Sequence, residues 1–143
     1  MIMTTSREAV YVALMALIAA IPGIKTCTRK LKHWSDVANE DQPAIFLALG
    51  DETSVPTRGL PNKLTLTPSV WLYVNTGGAE VGPVLNPLLD KIEAALEATK
   101  LPGKVLTLGG LVHHCWIEGT TQIFEGNLGD EAVAIIPIHV LVS

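Results

Sequence analysis

The closing run from Ala132 to Val142 constrains the fold of this chain more than any other segment. Its even positions are Ala132, Ala134, Ile136, Ile138, Val140 and Val142. The odd positions between them, Val133, Ile135, Pro137, His139 and Leu141, are nearly as apolar. Alternating residues of a strand point to opposite faces, so a strand of this composition needs cover on both sides. Pro137 cannot donate to a ladder, which predicts either an edge position or a bulge. An apolar strand at an edge calls for burial against another subunit, and that reading favours assembly over catalysis.

The 143 residues are read as a single domain, residues 1–143, able to bury a substantial core. Its 48% hydrophobic and 17% charged content is that of a globular chain. The net charge of −4 argues against a general nucleic-acid binder. Four of the ten basic residues, Lys25, Arg29, Lys30 and Lys32, nevertheless lie within eight positions. They read as a solvated or ion-paired strand face, or more sharply as a phosphate-facing surface, for which Trp34 is the one nearby aromatic. Cys27 and Cys115 lie too far apart in sequence to suggest a framework and read as free thiols. The apolar run from Ala9 to Ile21 is shorter than the roughly 18–20 residues of a membrane span, so it reads as a buried helix and no membrane contact is expected.

Thr5 and Glu8 have capping-box spacing and open that helix, which runs to about Ala20 and stops at Pro22-Gly23. It is apolar all round, more than one sheet face can cover. Residues 24–34 read as a strand, and Ala44 to Leu49 as a short buried one. Gly50 to Asn62 has two prolines, two glycines and no hydrophobic period, and reads as a long exposed loop. From Leu64 to Asn75 the alternation is clear, with Trp71 and Tyr73 on the face opposite Leu66, Val70 and Leu72. Asn86-Pro87 suggests a helix start, and Leu88, Leu89, Ile92, Ala95 and Leu96 its apolar stripe, ended by Pro102-Gly103. Two further strands complete the order α-β-β-β-α-β-β. This is an α+β chain with a small mixed, mostly antiparallel sheet of about five strands flanked by two helices.

No motif carries chemistry. On a strand His113 and Cys115 would point one way and His114 the other, and no ligand-spacing pattern accompanies them. Cys115, His33 and Asp36 make a catalytic set only on paper, with no elbow motif. Gly109-Gly110 precedes a strand, the reverse of a phosphate loop. The chain is therefore read as a non-enzyme with no cofactor and no metal. A small cytosolic enzyme with a His/Cys site at an oligomer interface is the competing reading from another class.

The opening REAVYVAL helix, the QPAIFLALGDE strand and turn, LNPLLDKIEAAL, and the closing TLGGLVHHCWIEG and EGNLGDEAVAIIPIHVLV together resemble the tail terminator, or tail completion, proteins of long-tailed bacteriophages, the lambda-type minor tail protein U group. The resemblance spans nearly the whole chain. It implies a virion protein, assembled in the host cytoplasm, that forms a six-membered ring at the head-proximal end of the tail tube. Such a ring stops tube polymerisation and presents a surface for head joining. The implied partners are other copies of the chain, the tail tube protein and a head-completion or connector protein, with DNA passing through unbound. A connector or neck protein is the alternative within the virion. On this reading the candidate interface residues are Asp51, Glu52 and Arg58 of the Gly50–Asn62 segment; the basic Lys25, Arg29, Lys30 and Lys32; Trp71 and Tyr73; and Ile135 and His139 of the closing strand.

Overall fold

The computed structural model describes residues 6–97, 107–108, 110–128 and 130–142. Helix α1, Arg7–Ala19, opens at Ser6, whose hydroxyl accepts the Ala9 N–H at 3.1 Å. The expected cap, Thr5, lies outside the described residues. Glu8 does not turn back to the backbone but takes a bidentate grip from Arg29 at 2.6 and 2.9 Å. Val10, Tyr11, Leu14 and Ile18 form the buried stripe of α1. Much of its other apolar surface is alanine, which costs little to expose, so the helix needs cover on one side only.

The strands are β1 (Thr26–Thr28), β2 (Ala44–Ala48), β3 (Glu52–Thr57), β4 (Leu60–Leu66), β5 (Ser69–Asn75), β6 (His114–Ile117), β7 (Gln122–Leu128) and β8 (Glu131–Leu141). Helix α2, Gly82–Glu97, follows β5. Among the described residues eight strands thus stand where about five were expected, in one mostly antiparallel sheet ordered β1-β2-β5-β8-β4-β3, with β6 and β7 also paired to β8. The registers explain the difference. Leu66 faces Val140 and Ser69 faces Pro137, so β4 and β5 run along β8 in one unbroken register, interrupted only at Thr67-Pro68. Between β2 and β3, four steps from Ala48 to Glu52 stand opposite three from Leu66 to Ser69, a one-residue excess at Leu49–Asp51. Between β6 and β7, five steps from Ile117 to Gln122 stand opposite three from Ile135 to Ile138. Physically these are long bent strands, each broken once, beside a short parallel β1.

Three sequence expectations are corrected here. Of the two positions expected for the closing strand, an edge or a bulge, the edge is excluded and a ladder irregularity stands opposite Pro137. β8 pairs with β4 and β5 on one side and with β6 and β7 on the other. Pro137 fits because its carbonyl accepts the Glu118 N–H at 3.3 Å, so its missing N–H points the same way, toward the two-residue excess where no ladder partner stands. Second, Gly50–Asn62 is not a loop; most of it is the β3–β4 hairpin, turning at Arg58-Gly59 with Gly59 at φ 78°. Third, α2 starts one turn before Asn86. Leu85 donates to the Val81 carbonyl at 2.8 Å, and Pro87 lies inside the helix. Burying Leu85 in that added turn offsets the one backbone bond Pro87 cannot make.

Both helices cover one face of the sheet. Val10, Leu14 and Ile18 of α1 and Leu85, Ile92 and Leu96 of α2 pack with Ile45, Leu72, Ala134, Ile136, Ile138 and Val140 in the main core. The other face has a smaller cluster of Val37, Ala44, Phe46, Tyr73 and Val133, partly roofed by the β1–β2 connection. That connection holds two short 3-10 turns, Trp34–Asp36 and Asn39–Asp41.

Candidate interaction surface

The odd positions of β8 point away from the helices, and pairing sets their neighbours. Val133 lies between Tyr73 and Phe124, Ile135 between Trp71 and Gln122, and His139 beside Trp116. Trp34 packs onto the same face from the β1–β2 connection. All three tryptophans of the chain therefore gather on the sheet face that the helices leave open.

The polar ends of Trp71 and Trp116 are satisfied within the chain. The Trp71 indole N–H donates to Ser69 Oγ at 2.9 Å, and that of Trp116 to Glu118 Oε1 at 3.0 Å. His114 stacks on Trp116 at 4.7 Å between ring centroids, and His139 tilts against it at 5.6 Å. His139 Nδ1 lies 3.5 Å from Glu118 Oε2. With the Trp71 and Trp116 indole donors occupied, this face offers a partner mainly apolar and π surface.

Beside this row lies an apolar groove of about 540 Å³, floored by Trp71, Tyr73, Val133 and Ile135 and walled by Leu31, Trp34 and Phe124. Leu31 is 42% and Phe124 40% exposed. The β1–β2 connection is held over its edge by two polar clamps. Tyr73 Oη donates to the Lys32 carbonyl at 2.6 Å. Gln42 Nε2 donates to the Val37 carbonyl at 3.2 Å and to Glu131 Oε1 at 3.0 Å.

The residues expected at an interface fall into three groups. Trp71, Ile135 and His139 lie on this open face, half-buried, whereas Tyr73 is buried and acts as a floor and clamp rather than a contact. Lys25, Lys30 and Lys32 are exposed, but Arg29 is committed to Glu8 and sits 5.2 Å over the Tyr11 ring, tying β1 to α1. Asp51 and Arg58 are exposed on the hairpin segment, and Glu52 accepts from Arg7 Nε at 2.8 Å at its base. Sequence reasoning missed Leu31, Phe124 and Trp116. Only the parity of Trp116 with His139 across two strands marks it, and that pairing is not written in either segment alone.

The paper catalytic set is taken apart by the fold. Cys115 faces the main core, where burial pushes its thiol up to about 12, while His33 and Asp36 lie on the open face. His33 Nδ1 is engaged with Ser35 Oγ at 2.7 Å. Among the described residues no group of three or more His, Cys, Asp or Glu side chains is placed to hold a metal ion. No described helix is long and apolar enough to cross a membrane.

Fold and surface together define an α+β protein whose sheet is helix-covered on one face and aromatic on the other, the kind of surface that packs against another macromolecule. No protein-family model matches the sequence, and no curated protein matches it. Among solved structures, a chain of the virion of a native gene transfer agent particle shares the fold with a TM-score of 0.57 at 15% identity. The match covers 96% of this chain and 94% of that one. A second solved chain matches with a TM-score of 0.52 at 14% identity, covering 95% of each.

Proposed function

We propose that this chain is a structural protein of a phage-like virion, and within the virion a tail terminator. The observation that carries the proposal is the likeness, over 96% of the chain, to a chain of a gene transfer agent virion. The motif-level resemblance to tail terminators and the open aromatic face support the same reading. On it, copies of the chain form a ring, six-membered in the proteins it resembles, at the head-proximal end of the tail tube. The ring ends tube growth and offers its other side to a head-completion protein. DNA crosses the ring without specific binding, which suits a chain of net charge −4.

The test is electron microscopy of particles made when the gene is disabled. Overlong, headless tails of variable length are expected, because only loss of the stop lets the tube grow on. Tails of normal length that fail to join heads would move the role to the neck connector. Normal infectious particles would remove the virion reading altogether.

A further inference from the structure

The β3–β4 hairpin and the aromatic groove are two unmatched surfaces of one chain. Of β4, Thr65 and Leu66 pair with β8 and the Leu64 carbonyl accepts from Val142 N–H, while every described side chain from Thr53 to Lys63 is exposed. An isolated two-stranded ribbon is marginal in water, so an arm of this kind gains its order from what it touches. Near its tip it exposes Val55, 50%, and Leu60, 66%. Between Thr53 and Leu66 it carries Arg58 and Lys63 and no acidic residue.

The connection that roofs the groove includes a stretch of the opposite character. From His33 to Gln42 the connection carries Asp36, Glu40 and Asp41, all exposed, and no Lys or Arg. Lys32, earlier on the same connection, lines the groove itself, and the three carboxylates lie further along that connection, beyond Trp34, where they complement a basic arm. The two surfaces also sit at opposite ends of β8. The groove uses Val133 and Ile135, while the arm leaves from Val140 and Leu141. At about 3.3 Å per residue that separation is roughly 20 Å along the strand, so the surfaces are distinct patches rather than one self-complementary patch. Distinct complementary patches make head-to-tail contacts, which close into rings or extend as filaments.

We infer that the β3–β4 arm of one copy docks in the aromatic groove of the next, with Val55 and Leu60 against Trp34, Trp71, Phe124 and Ile135, and Arg58 toward Asp36, Glu40 and Asp41. The inference rests on the ring proposed above and names its contact. Each copy then uses its arm once and its groove once.

The test is a cysteine pair, Leu60→Cys with Phe124→Cys, oxidised at millimolar protein and run without reductant. Both positions are exposed, so folding survives the substitutions. The expected result is a reducible ladder running past the dimer, while either single variant, with no engineered thiol opposite it at the contact, runs as a monomer. A pair that runs like the singles, or that closes within one chain and stays a monomer, overturns the contact. A second measurement uses Leu60→Asp and Phe124→Asp. Each alone is expected to be monomeric, and a mixture to give heterodimers and nothing longer, since one variant keeps its groove and the other its arm. Larger species in either variant alone would also overturn it. The ring reading fails separately: overlong tails on gene loss with no ladder would discard the contact and keep the terminator, and a ladder with normal particles would do the reverse.

Discussion

Gly50 is where a single atom decides most. A Cβ there would stand 1.7 Å from the Thr67 carbonyl oxygen, which is backbone and cannot swing aside. The close approach arises because Leu49–Asp51 carries the extra residue of the β2–β3 ribbon against the Thr67-Pro68 break, and Thr67 N–H reaches the Asp51 carbonyl at 3.0 Å. Gly50→Ala is expected to cost at least about 3 kcal/mol, the upper end of ordinary overpacking, as read by urea unfolding. Gly59→Ala, at φ 78° with open space around it, is expected to cost about 1 kcal/mol from backbone strain alone. Equal losses at the two sites would refute the close-approach account. Tyr73→Phe removes only the hydroxyl held by the Lys32 carbonyl and should cost about 1 kcal/mol, with faster hydrogen exchange across residues 32–41 as its signature.

At the scale of elements, β8 shows how a proline can sit inside a central strand. Its N–H side faces the β6–β7 excess, so Pro137→Ala restores a donor with nothing to pair with in the ladder. The substitution should change the unfolding free energy by less than about 1 kcal/mol, far below the penalty of removing a true ladder bond site. A large stabilisation would mean that a partner carbonyl is within reach. For α1, the Ser6 hydroxyl is the cap that the geometry identifies, and Ser6→Ala should cost about 1 kcal/mol in a denaturant titration. The hairpin contributes little to the core beyond Leu64 and Leu66, which is why an element of this length can be spent on a neighbour rather than on stability.

For the whole molecule, three buried groups set how stability responds to alkali. Burial raises Cys115 to about 12, and burial is also the leading cause raising Tyr11 and Tyr73. In the unfolded chain these groups ionise at their ordinary, lower values. The native state therefore holds more protons in this range, and stability falls as pH rises from about 9 toward 12. Urea midpoints measured across that interval should decline, and Cys115→Ala should decline less steeply, whatever its stability at neutral pH. A midpoint that holds flat would contradict the burial of the thiol.

Much of this was legible in the residues. The apolar run at Ala44 to Leu49, the alternation from Leu64 to Asn75, the two helices and the α+β order are each printed in side-chain pattern, because pattern records which face of an element meets the core. The alternation even ran correctly through Pro68, since β4 and β5 share one register. The β3–β4 hairpin left no such record: its side chains meet water, so no hydrophobic period marks it. The open aromatic face was visible only in part, as Trp71, Ile135 and His139, because Trp116 and Phe124 join it through pairings with β8 that no local pattern encodes.

The closing strand marks the boundary between the two kinds of information. Its sequence alone determined that both of its faces are apolar, because side chains stand perpendicular to the sheet. The helices bury the even face, and most of the odd face stays half-buried on the open side of the sheet. Whether it would be an edge or the centre was decided only by tertiary structure. That question is settled within the sheet plane by backbone hydrogen bonds, which are the same for every residue except proline. Pro137 pointed to an edge or a bulge, and a two-residue excess on the partner strands, the second kind of solution, made room for it at the centre.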